Sequence, residues 1–166
     1  MPDRLIEQTL RAFSDDLSAD SPVPGGGSAA AYAGAMGAAL AAMVARITLK
    51  KEKSEDLRSY IEETDNLRSD FLRLVDDDSA AYARVAEAMK LPRKTDDEKK
   101  ERQERMQAAL LAASRVPLEV AETARRLLDA CERGVAKASP MTASDIRDWR
   151  HEQPGRPVHV KPCRES

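Results

Sequence analysis

The sequence contains few aromatic side chains, which make up 4% of its 166 residues. Scarce aromatics together with abundant alanine favour closely packed helices over a β-sandwich or a β-barrel. The length is that of one domain, and it is sufficient to bury a substantial core. We therefore expect one all-α domain.

The sequence also lacks an excess of either charge, and it has little cysteine. Its 27 basic and 29 acidic side chains leave a formal net charge of −2, so electrostatics provides no argument for nucleic-acid binding. Cys131 and Cys163 fit neither a metal-ligand spacing nor a disulfide framework. No signal-peptide pattern is visible, and we expect the protein to be cytoplasmic.

The stretch around which the chain is organised reads Ser-Pro-Val-Pro-Gly-Gly-Gly-Ser, from Ser21 to Ser28. Its prolines forbid helix before Gly25, whereas its glycines permit positive φ angles and let a ligand approach bare main chain. Ser28 is the expected N-cap of the next helix, whose first N–H groups form an anion site. The stretch is either a binding loop for a phosphate, a carboxylate or a ring carbonyl, or a hinge and plain helix start. It matches neither a P-loop nor a dinucleotide fingerprint, because no Gly-Lys-Ser/Thr follows and no strand precedes it.

Hydrophobic periodicity predicts four helices. The first covers residues 3 to 17, the second runs from Ser28 to about Lys50, and the third from about Lys51 to Met89. Rows of Ala and Gly along the second helix predict a close approach of neighbouring helices. Residues 22 to 45 carry no charge, which also fits a membrane span. Because Ala and Gly contribute little transfer free energy, we favour a buried central helix of a soluble bundle.

The fourth helix begins at a capping box, Thr95-Asp96-Asp97-Glu98. Pro117 is expected to kink this helix or to split it in two, and Gly134 is a candidate C-terminal cap. A basic cluster surrounds the start of the helix and is either a solvated surface or a contact for a polyanionic ligand tail. The cluster comprises Lys90, Arg93, Lys94, Lys99 and Lys100.

Asp78 interrupts an apolar stripe on the third helix whose every step is three or four residues. The stripe consists of Leu57, Ile61, Thr64, Leu67, Phe71, Leu74, Asp78, Tyr82, Val85 and Met89. Asp76 and Asp77 fall off the stripe, and we expect them to be solvated. A carboxylate on an apolar face must be paired, be protonated or serve a function. Asp78 is therefore either a functional group or a carboxylate that caps a neighbouring helix or pairs with an arginine.

In these elements the chain resembles the cyclodeaminase/cyclohydrolase family of folate enzymes. This family comprises the cyclodeaminase domain of formiminotransferase-cyclodeaminase and the stand-alone bacterial methenyltetrahydrofolate cyclohydrolases. The resemblance extends over residues 5 to 146, and its most specific part combines the Pro-x-Pro-Gly-Gly-Gly-Ser element with an Asp-x-Asp element. The matching segments, in family order, are Pro22 to Ala30, Val75 to Tyr82, Leu91 to Thr95 with Glu98-Lys99, Val116 to Leu118, and Ser144 to Ile146.

The resemblance implies an all-α, antiparallel bundle of long helices that forms a homodimer, with a folate cleft between the glycine loop and facing helices. It implies that Asp78 is the catalytic residue, since Asp78 is the second aspartate of the family's Asp-x-Asp motif. The implied substrate is a tetrahydrofolate derivative, and no metal or redox cofactor is needed. The implied substrate-binding residues are Pro24, Gly25, Gly26, Gly27, Ser28, Tyr82 and Lys94, with Asp145 at the edge of the site.

The family offers two reactions. A cyclohydrolase hydrolyses 5,10-methenyltetrahydrofolate to 10-formyltetrahydrofolate, and a cyclodeaminase closes the ring of formiminotetrahydrofolate and releases ammonia. Each passes through a tetrahedral carbon, so that one carboxylate can act as general base and then as general acid. We favour the cyclohydrolase, because no formiminotransferase domain is attached. The rival from another class is a non-catalytic helical homologue that binds folate or serves assembly.

The sequence departs from the family after Ile146. Family members continue into an Ala-rich apolar helix, whereas the last residues here are polar and rich in proline. We therefore divide the chain into a helical domain, residues 1–146, and an atypical tail, disordered or frameshifted, residues 147–166. Our hypothesis is a disrupted end of the gene. The other two reading frames of the coding DNA test it, since a frameshift predicts an Ala-rich helical continuation in one of them.

Overall fold

The computed structural model describes residues 4–51 and 53–135. Within these ranges it contains one turn of 3-10 helix, four α-helices and no strand, so the predicted all-α class is confirmed. The 3-10 turn is Leu5–Glu7, and the helices are α1 Leu10–Ser18, α2 Gly26–Leu49, α3 Glu55–Lys90 and α4 Asp96–Val135. Asp145, the predicted domain boundary after residue 146 and the predicted tail lie outside the described residues.

The long helices run antiparallel to one another, because contacts join the early part of each helix to the late part of the next. Between α2 and α3 the contacting pairs are Ser28 with Asp78 and Arg46 with Asp65. Between α3 and α4 the pairs are Glu63 with Arg133 and Asp70 with Arg126. The predicted antiparallel bundle is thereby confirmed.

Small residues on α2 allow α3 to approach closely. Gly34 faces the ring of Phe71, and a Cβ at position 34 would lie 2.4 Å from Phe71 Cε1. The rows of small residues that predicted this approach are buried from Gly34 onward, namely Gly34, Gly37, Ala38, Ala41 and Ala42. The core between the helices is then filled by larger side chains, chiefly Leu67, Phe71, Leu74 and Leu127.

The N-terminal segment forms two short helices instead of the single helix predicted over residues 3 to 17. Thr9 caps α1, because its Oγ1 accepts a hydrogen bond from the Ala12 N–H at 3.1 Å. The preceding 3-10 turn is held by Asp76, whose carboxylate accepts a hydrogen bond from the Leu5 N–H at 2.8 Å. The expectation of a solvated Asp76 is therefore wrong. Local periodicity cannot reveal a partner that lies 71 positions away.

α2 begins at Gly26, with Gly25 as its N-cap, so the predicted role of Ser28 as N-cap is wrong. Ser28 lies inside the first turn, and its N–H donates to the carboxylate of Asp78 at 2.8 Å. The capping acceptor thus comes from α3. Because a side chain of another helix satisfies this N–H, the first turn of α2 can begin within the glycine run.

α4 begins at the predicted capping box and is otherwise more continuous than predicted. The Glu98 N–H donates to Thr95 Oγ1 at 3.2 Å, and the Thr95 N–H donates to Glu98 Oε2 at 3.0 Å. The helix then continues through Pro117, so the predicted split is wrong. Proline removes one backbone hydrogen bond, but an ion pair between Arg73 of α3 and Glu119 supports α4 just beyond it.

Gly134 is not a helix cap, because α4 continues past it. The side of Gly134 that would carry a Cβ instead faces Tyr60 of α3, and this Cβ would lie 2.3 Å from Tyr60 Oη. The glycine is needed for this close approach of the two helices. The prediction of a cap used only the neighbouring sequence, whereas the role of Gly134 is a contact with another helix.

The apolar stripe predicted on α3 is confirmed up to Leu74 and shifts beyond Asp78. Tyr82 and Met89 are exposed, contrary to prediction, and the buried positions of this part are Ala81, Val85 and Ala88. Here α3 lies next to α4, since Ala88 of α3 lines a groove together with Ala108 and Ala112 of α4. Its buried face therefore turns toward α4.

α2 is long and apolar enough to cross a membrane by length and composition, a criterion that core helices of soluble proteins also meet. Of its most apolar window, 56% is buried inside the bundle. The outer side of the same helix exposes three large apolar side chains, Met36, Leu40 and Met43.

Candidate functional site

Asp78 lies where α3 passes the N-terminus of α2. Its Oδ2 accepts hydrogen bonds from the Ser28 N–H at 2.8 Å and from the Ser28 hydroxyl at 3.0 Å. Its Oδ1 makes no hydrogen bond within the described part of the chain, and the side chain is half-buried. The carboxylate therefore caps a neighbouring helix, and one of its oxygens has no protein partner there.

The hydroxyl of Ser28 is fully buried and stands at the centre of a small polar network. Besides Asp78, it lies 3.0 Å from the carbonyl oxygen of Val75 and 3.3 Å from Ser79 Oγ. The network joins the first turn of α2 to one turn of α3. Ser28 was predicted to bind substrate, but the structure places its side chain against Asp78.

The three glycines provide space at this point, and none of them adopts left-handed backbone. Gly25 is extended, with φ −111° and ψ −171°. A Cβ at Gly27 would lie 2.2 Å from Asp78 Oδ1, so the carboxylate occupies the space of the missing side chain. A Cβ at Gly26 would meet nothing within 4 Å. Gly27 thus makes room for Asp78, and Gly26 borders open space.

The N–H groups of Gly26 and Gly27 point out of the first turn of α2 without a hydrogen-bond acceptor in residues 4–51 and 53–135. They stand at the positive end of a helix of 24 residues. Unpaired N–H groups at such an end bind a carboxylate, a phosphate or a polarised carbonyl. Beside them, Asp78 Oδ1 can accept a proton and return it. The site therefore combines hydrogen-bond donors for a ligand with a proton acceptor.

The remaining predicted site residues lie at different distances from this point. Pro24 is buried beside the glycine run, and Tyr82 is exposed one helical turn beyond Asp78. Lys94 lies in the turn between α3 and α4, after the end of α3 at Lys90, and this helix end is about 18 Å along the axis from Asp78 at 1.5 Å per residue. Asp145 lies outside the described residues. The structure thus joins the glycines, Ser28 and Asp78, and it leaves Lys94 remote.

Near Lys94, the start of α4 borders a groove of about 990 Å³. Arg102 donates from Nη2 to the carbonyl oxygen of Met89 at 3.3 Å, while its buried Nε has no acceptor among the described residues. Among the described residues, no acidic side chain lines the groove, and Lys94 is not part of its wall. The lining residues are Arg93, Lys99, Arg102, Gln103, Met106, Gln107, Leu110 and Leu111.

Sequence interpretation missed Ser79 and Arg102. Ser79 follows the aspartate run directly, and a small polar residue beside Asp78 on the same helix was the available signal. Arg102 had no such signal, because its neighbours on α4 are also charged. The Arg102 side chain is partly buried because the turn between α3 and α4 brings Met89 next to it.

The environment shifts pKa values at the contact of α3 with α4. Burial, reinforced by Cys131 and Glu63, raises the pKa of the Tyr60 phenol. A hydrogen bond to Glu119 raises the pKa of the Arg73 guanidinium. These groups support helix packing.

No cluster of three or more metal-binding side chains occurs in the part of the chain that the structure describes. The site around Asp78 consists of hydrogen-bond donors and acceptors.

The chain is similar in sequence to several known proteins. The family model described as formiminotransferase-cyclodeaminase matches residues 9–147. A methenyltetrahydrofolate cyclohydrolase of Methylorubrum extorquens is 38% identical over 142 residues, which cover 83% of this chain and 68% of that protein. The formimidoyltransferase-cyclodeaminase of Mus musculus is 38% identical over 132 residues, which cover 77% of this chain and 24% of that protein.

A solved structure is similar as well. The crystal structure of formiminotetrahydrofolate cyclodeaminase from Thermotoga maritima matches with a TM-score of 0.73 and 29% sequence identity. The match covers 87% of this chain and 70% of that chain. The helical architecture described above is therefore shared with that protein.

Proposed function

The chain belongs to the formiminotransferase-cyclodeaminase family, and on this premise we propose that it hydrolyses 5,10-methenyltetrahydrofolate to 10-formyltetrahydrofolate. One observation carries the proposal: a half-buried carboxylate, Asp78, is fixed beside the unpaired N–H groups of Gly26 and Gly27. This arrangement supplies a proton acceptor and a hydrogen-bonding surface at one point. The cyclohydrolase of Methylorubrum extorquens, which the chain matches over most of both lengths, supports this choice of reaction.

Asp78 acts as general base and then as general acid. As water attacks the methenyl carbon and the C–O bond forms, Oδ1 accepts a proton from the water. The protonated carboxyl then gives this proton to N5 of the folate as the C–N5 bond breaks. The second water proton leaves to solvent when the formyl carbonyl forms, so the atoms and charges balance. Such proton transfer contributes about a hundred- to ten-thousand-fold to the rate.

The remaining groups bind the substrate. The N–H groups of Gly26 and Gly27 hold a carbonyl or carboxylate of the folate, and Tyr82 stacks on the pterin or orients it. The basic groove with Arg93 and Lys99, next to Lys94, lies about 18 Å along α3 from Asp78, so only the far end of an extended glutamate tail would reach it. The family resemblance implies a role at the edge of the site for Asp145, which lies outside the described residues.

The second candidate reaction is that of a cyclodeaminase, and it is favoured by the similarity to the formiminotetrahydrofolate cyclodeaminase of Thermotoga maritima. It needs the same proton transfer, since ring closure passes through a tetrahedral carbon, and the amino group on this carbon must be protonated before it leaves as ammonia. A non-catalytic folate-binding homologue is opposed by Asp78, because folate binding alone does not require a proton acceptor beside the first N–H groups of α2.

A single spectrophotometric assay separates these functions, because methenyltetrahydrofolate absorbs near-ultraviolet light. Loss of its absorbance above the buffer rate is expected for the purified protein. Appearance of the absorbance from formiminotetrahydrofolate would instead identify a cyclodeaminase. Folate binding without either change would identify a binding protein and overturn the proposal.

The proposed assembly is a homodimer in the cytoplasm. The dimer is supported by the outer side of α2, where Met36, Leu40 and Met43 are exposed on a helix without charge up to Arg46. Large apolar side chains in one patch are typical of a surface that another protein covers. A second copy is the occupant that the family resemblance implies.

A further inference from the structure

The two oxygens of the Asp78 carboxylate have different surroundings. Oδ2 accepts both the N–H and the hydroxyl of Ser28, whereas Oδ1 accepts no hydrogen bond from the described residues. A carboxylate rotates readily about its last torsion unless it is held. We propose that Ser28 is a positioning residue, which anchors Oδ2 so that Oδ1 is the oxygen that exchanges protons with the folate. This inference rests on the proposed function.

Ser28 can influence the reaction only through Asp78. Its side chain is fully buried, so it has no surface with which to touch a substrate. Its single hydroxyl proton has two acceptors at 3.0 Å, Asp78 Oδ2 and the Val75 carbonyl oxygen. A charged acceptor forms the stronger hydrogen bond, so the Ser28 hydroxyl donates to Asp78 Oδ2 and not to the Val75 carbonyl oxygen. Ser79 then donates its own proton to Ser28 Oγ across 3.3 Å.

Gly27 supports the same orientation from the other side. Asp78 Oδ1 lies 2.2 Å from the point at which a Cβ of residue 27 would stand. The carboxylate is therefore seated between the main chain at Gly27 and the hydroxyl of Ser28. At the neighbouring Gly26 a Cβ would meet nothing within 4 Å, so the glycine run also borders the open space through which a ligand would approach.

A double-mutant cycle of Ser28→Ala and Asp78→Asn tests the inference in the full chain, with methenyltetrahydrofolate as the probe. Ser28→Ala keeps the backbone N–H bond to Asp78 and removes the hydroxyl, with its contacts to Asp78 Oδ2, the Val75 carbonyl oxygen and Ser79 Oγ. We expect kcat to fall by about ten- to a hundred-fold with KM nearly unchanged, because misplacement of a reacting group by about 1 Å costs on this order. In the Asp78→Asn background, Ser28→Ala should change the residual kcat by less than about twofold.

The outcomes are distinct. Equal losses in the two backgrounds, with or without loss of helicity in the far-ultraviolet spectrum, would make Ser28 a purely structural residue and overturn the inference. An unchanged kcat for Ser28→Ala would overturn it as well. If the unmodified protein turns over neither methenyltetrahydrofolate nor formiminotetrahydrofolate, the proposed function is overturned, and this inference with it. Ser79→Ala, which removes a hydroxyl that does not contact Asp78, is the matched control and should lower kcat less than Ser28→Ala does.

Discussion

Three consecutive aspartates have three different environments at the scale of single residues. Asp76 holds the N-terminal segment through Arg4 and the Leu5 N–H, at 2.9 and 2.8 Å. Asp77 forms an ion pair with Arg73 on the surface. Asp78 alone faces the start of α2. The helical phase determines these differences, because successive residues point about 100° apart around the helix axis.

Asp78→Asn is predicted to abolish most turnover. The amide keeps the shape of the carboxylate but cannot take up a proton, and the loss of general acid–base catalysis costs about a hundred- to ten-thousand-fold in rate. The free energy of unfolding should fall by about 1 kcal/mol, because the negative charge that caps α2 is lost. Asp77→Asn is the control, and the absorbance assay should find it nearly unchanged. A reversed result would show that the wrong aspartate has been assigned.

Gly27→Ala is predicted to destabilise the protein, whereas Gly26→Ala is not. The added methyl group at position 27 would overlap the Asp78 carboxylate, and forced repacking of this kind costs about 1–3 kcal/mol. At position 26 the methyl group meets nothing within 4 Å. Urea unfolding of the two variants measures the difference. Equal stabilities would mean that Asp78 moves aside without cost and is not firmly seated.

Gly26→Val addresses the ligand instead of the fold. The branched side chain has room in the free protein but occupies the space through which a ligand would approach the first N–H groups of α2. Folate affinity should therefore fall by at least about tenfold, which corresponds to 1.4 kcal/mol, while the helical content is retained. Titration with methenyltetrahydrofolate measures it, and undiminished binding would make the glycine run a plain helix start.

At the scale of helices, the sequence predicted the long elements well but misassigned the roles of two residues near their ends. The rows of Ala and Gly in α2, the apolar stripe of α3 and the capping box of α4 are local signals, and each was sufficient to identify its helix. The errors at Ser28 and Gly134 have a common cause, since both residues contact another helix and their roles depend on that contact. The same limit applies to the site. Periodicity marked Asp78, but the two hydrogen bonds from Ser28 became apparent only when α2 and α3 were placed together.

The contact between α3 and α4 contains a buried hydroxyl without a hydrogen-bond partner among the described residues, and it provides a test of the packing. Tyr60 is buried next to Gly134, and its Oη has no hydrogen-bond partner within the described ranges. Tyr60→Phe removes this unsatisfied group and should raise the free energy of unfolding by about 1 kcal/mol or more. Urea denaturation measures the change. A destabilised variant would mean that the hydroxyl does have a partner in solution.

At the scale of the whole molecule, the described helices expose large apolar side chains in two regions. The early part of α4, from Asp96 to Glu119, contains no buried residue, and Leu110, Leu111 and Leu118 are exposed there. α2 adds Met36, Leu40 and Met43 on its outer side. The two regions differ in charge, since the outer side of α2 has none before Arg46 while α4 is rich in charged residues. An interface with a second copy is therefore better supported at α2.

Leu40→Lys is predicted to dissociate the proposed homodimer. Leu40 lies between Met36 and Met43 and is 36% exposed, so the lysine leaves the fold of one copy intact. In the dimer its charge would be buried opposite apolar side chains, which costs roughly 3 kcal/mol and raises the dissociation constant about a hundred-fold or more. Sedimentation at several protein concentrations measures this constant. Leu118→Lys, at a residue that is 59% exposed on α4, is the matched control and should remain dimeric. Dissociation by Leu118→Lys in place of Leu40→Lys would move the interface to α4, and a monomeric parent protein would rule out the dimer.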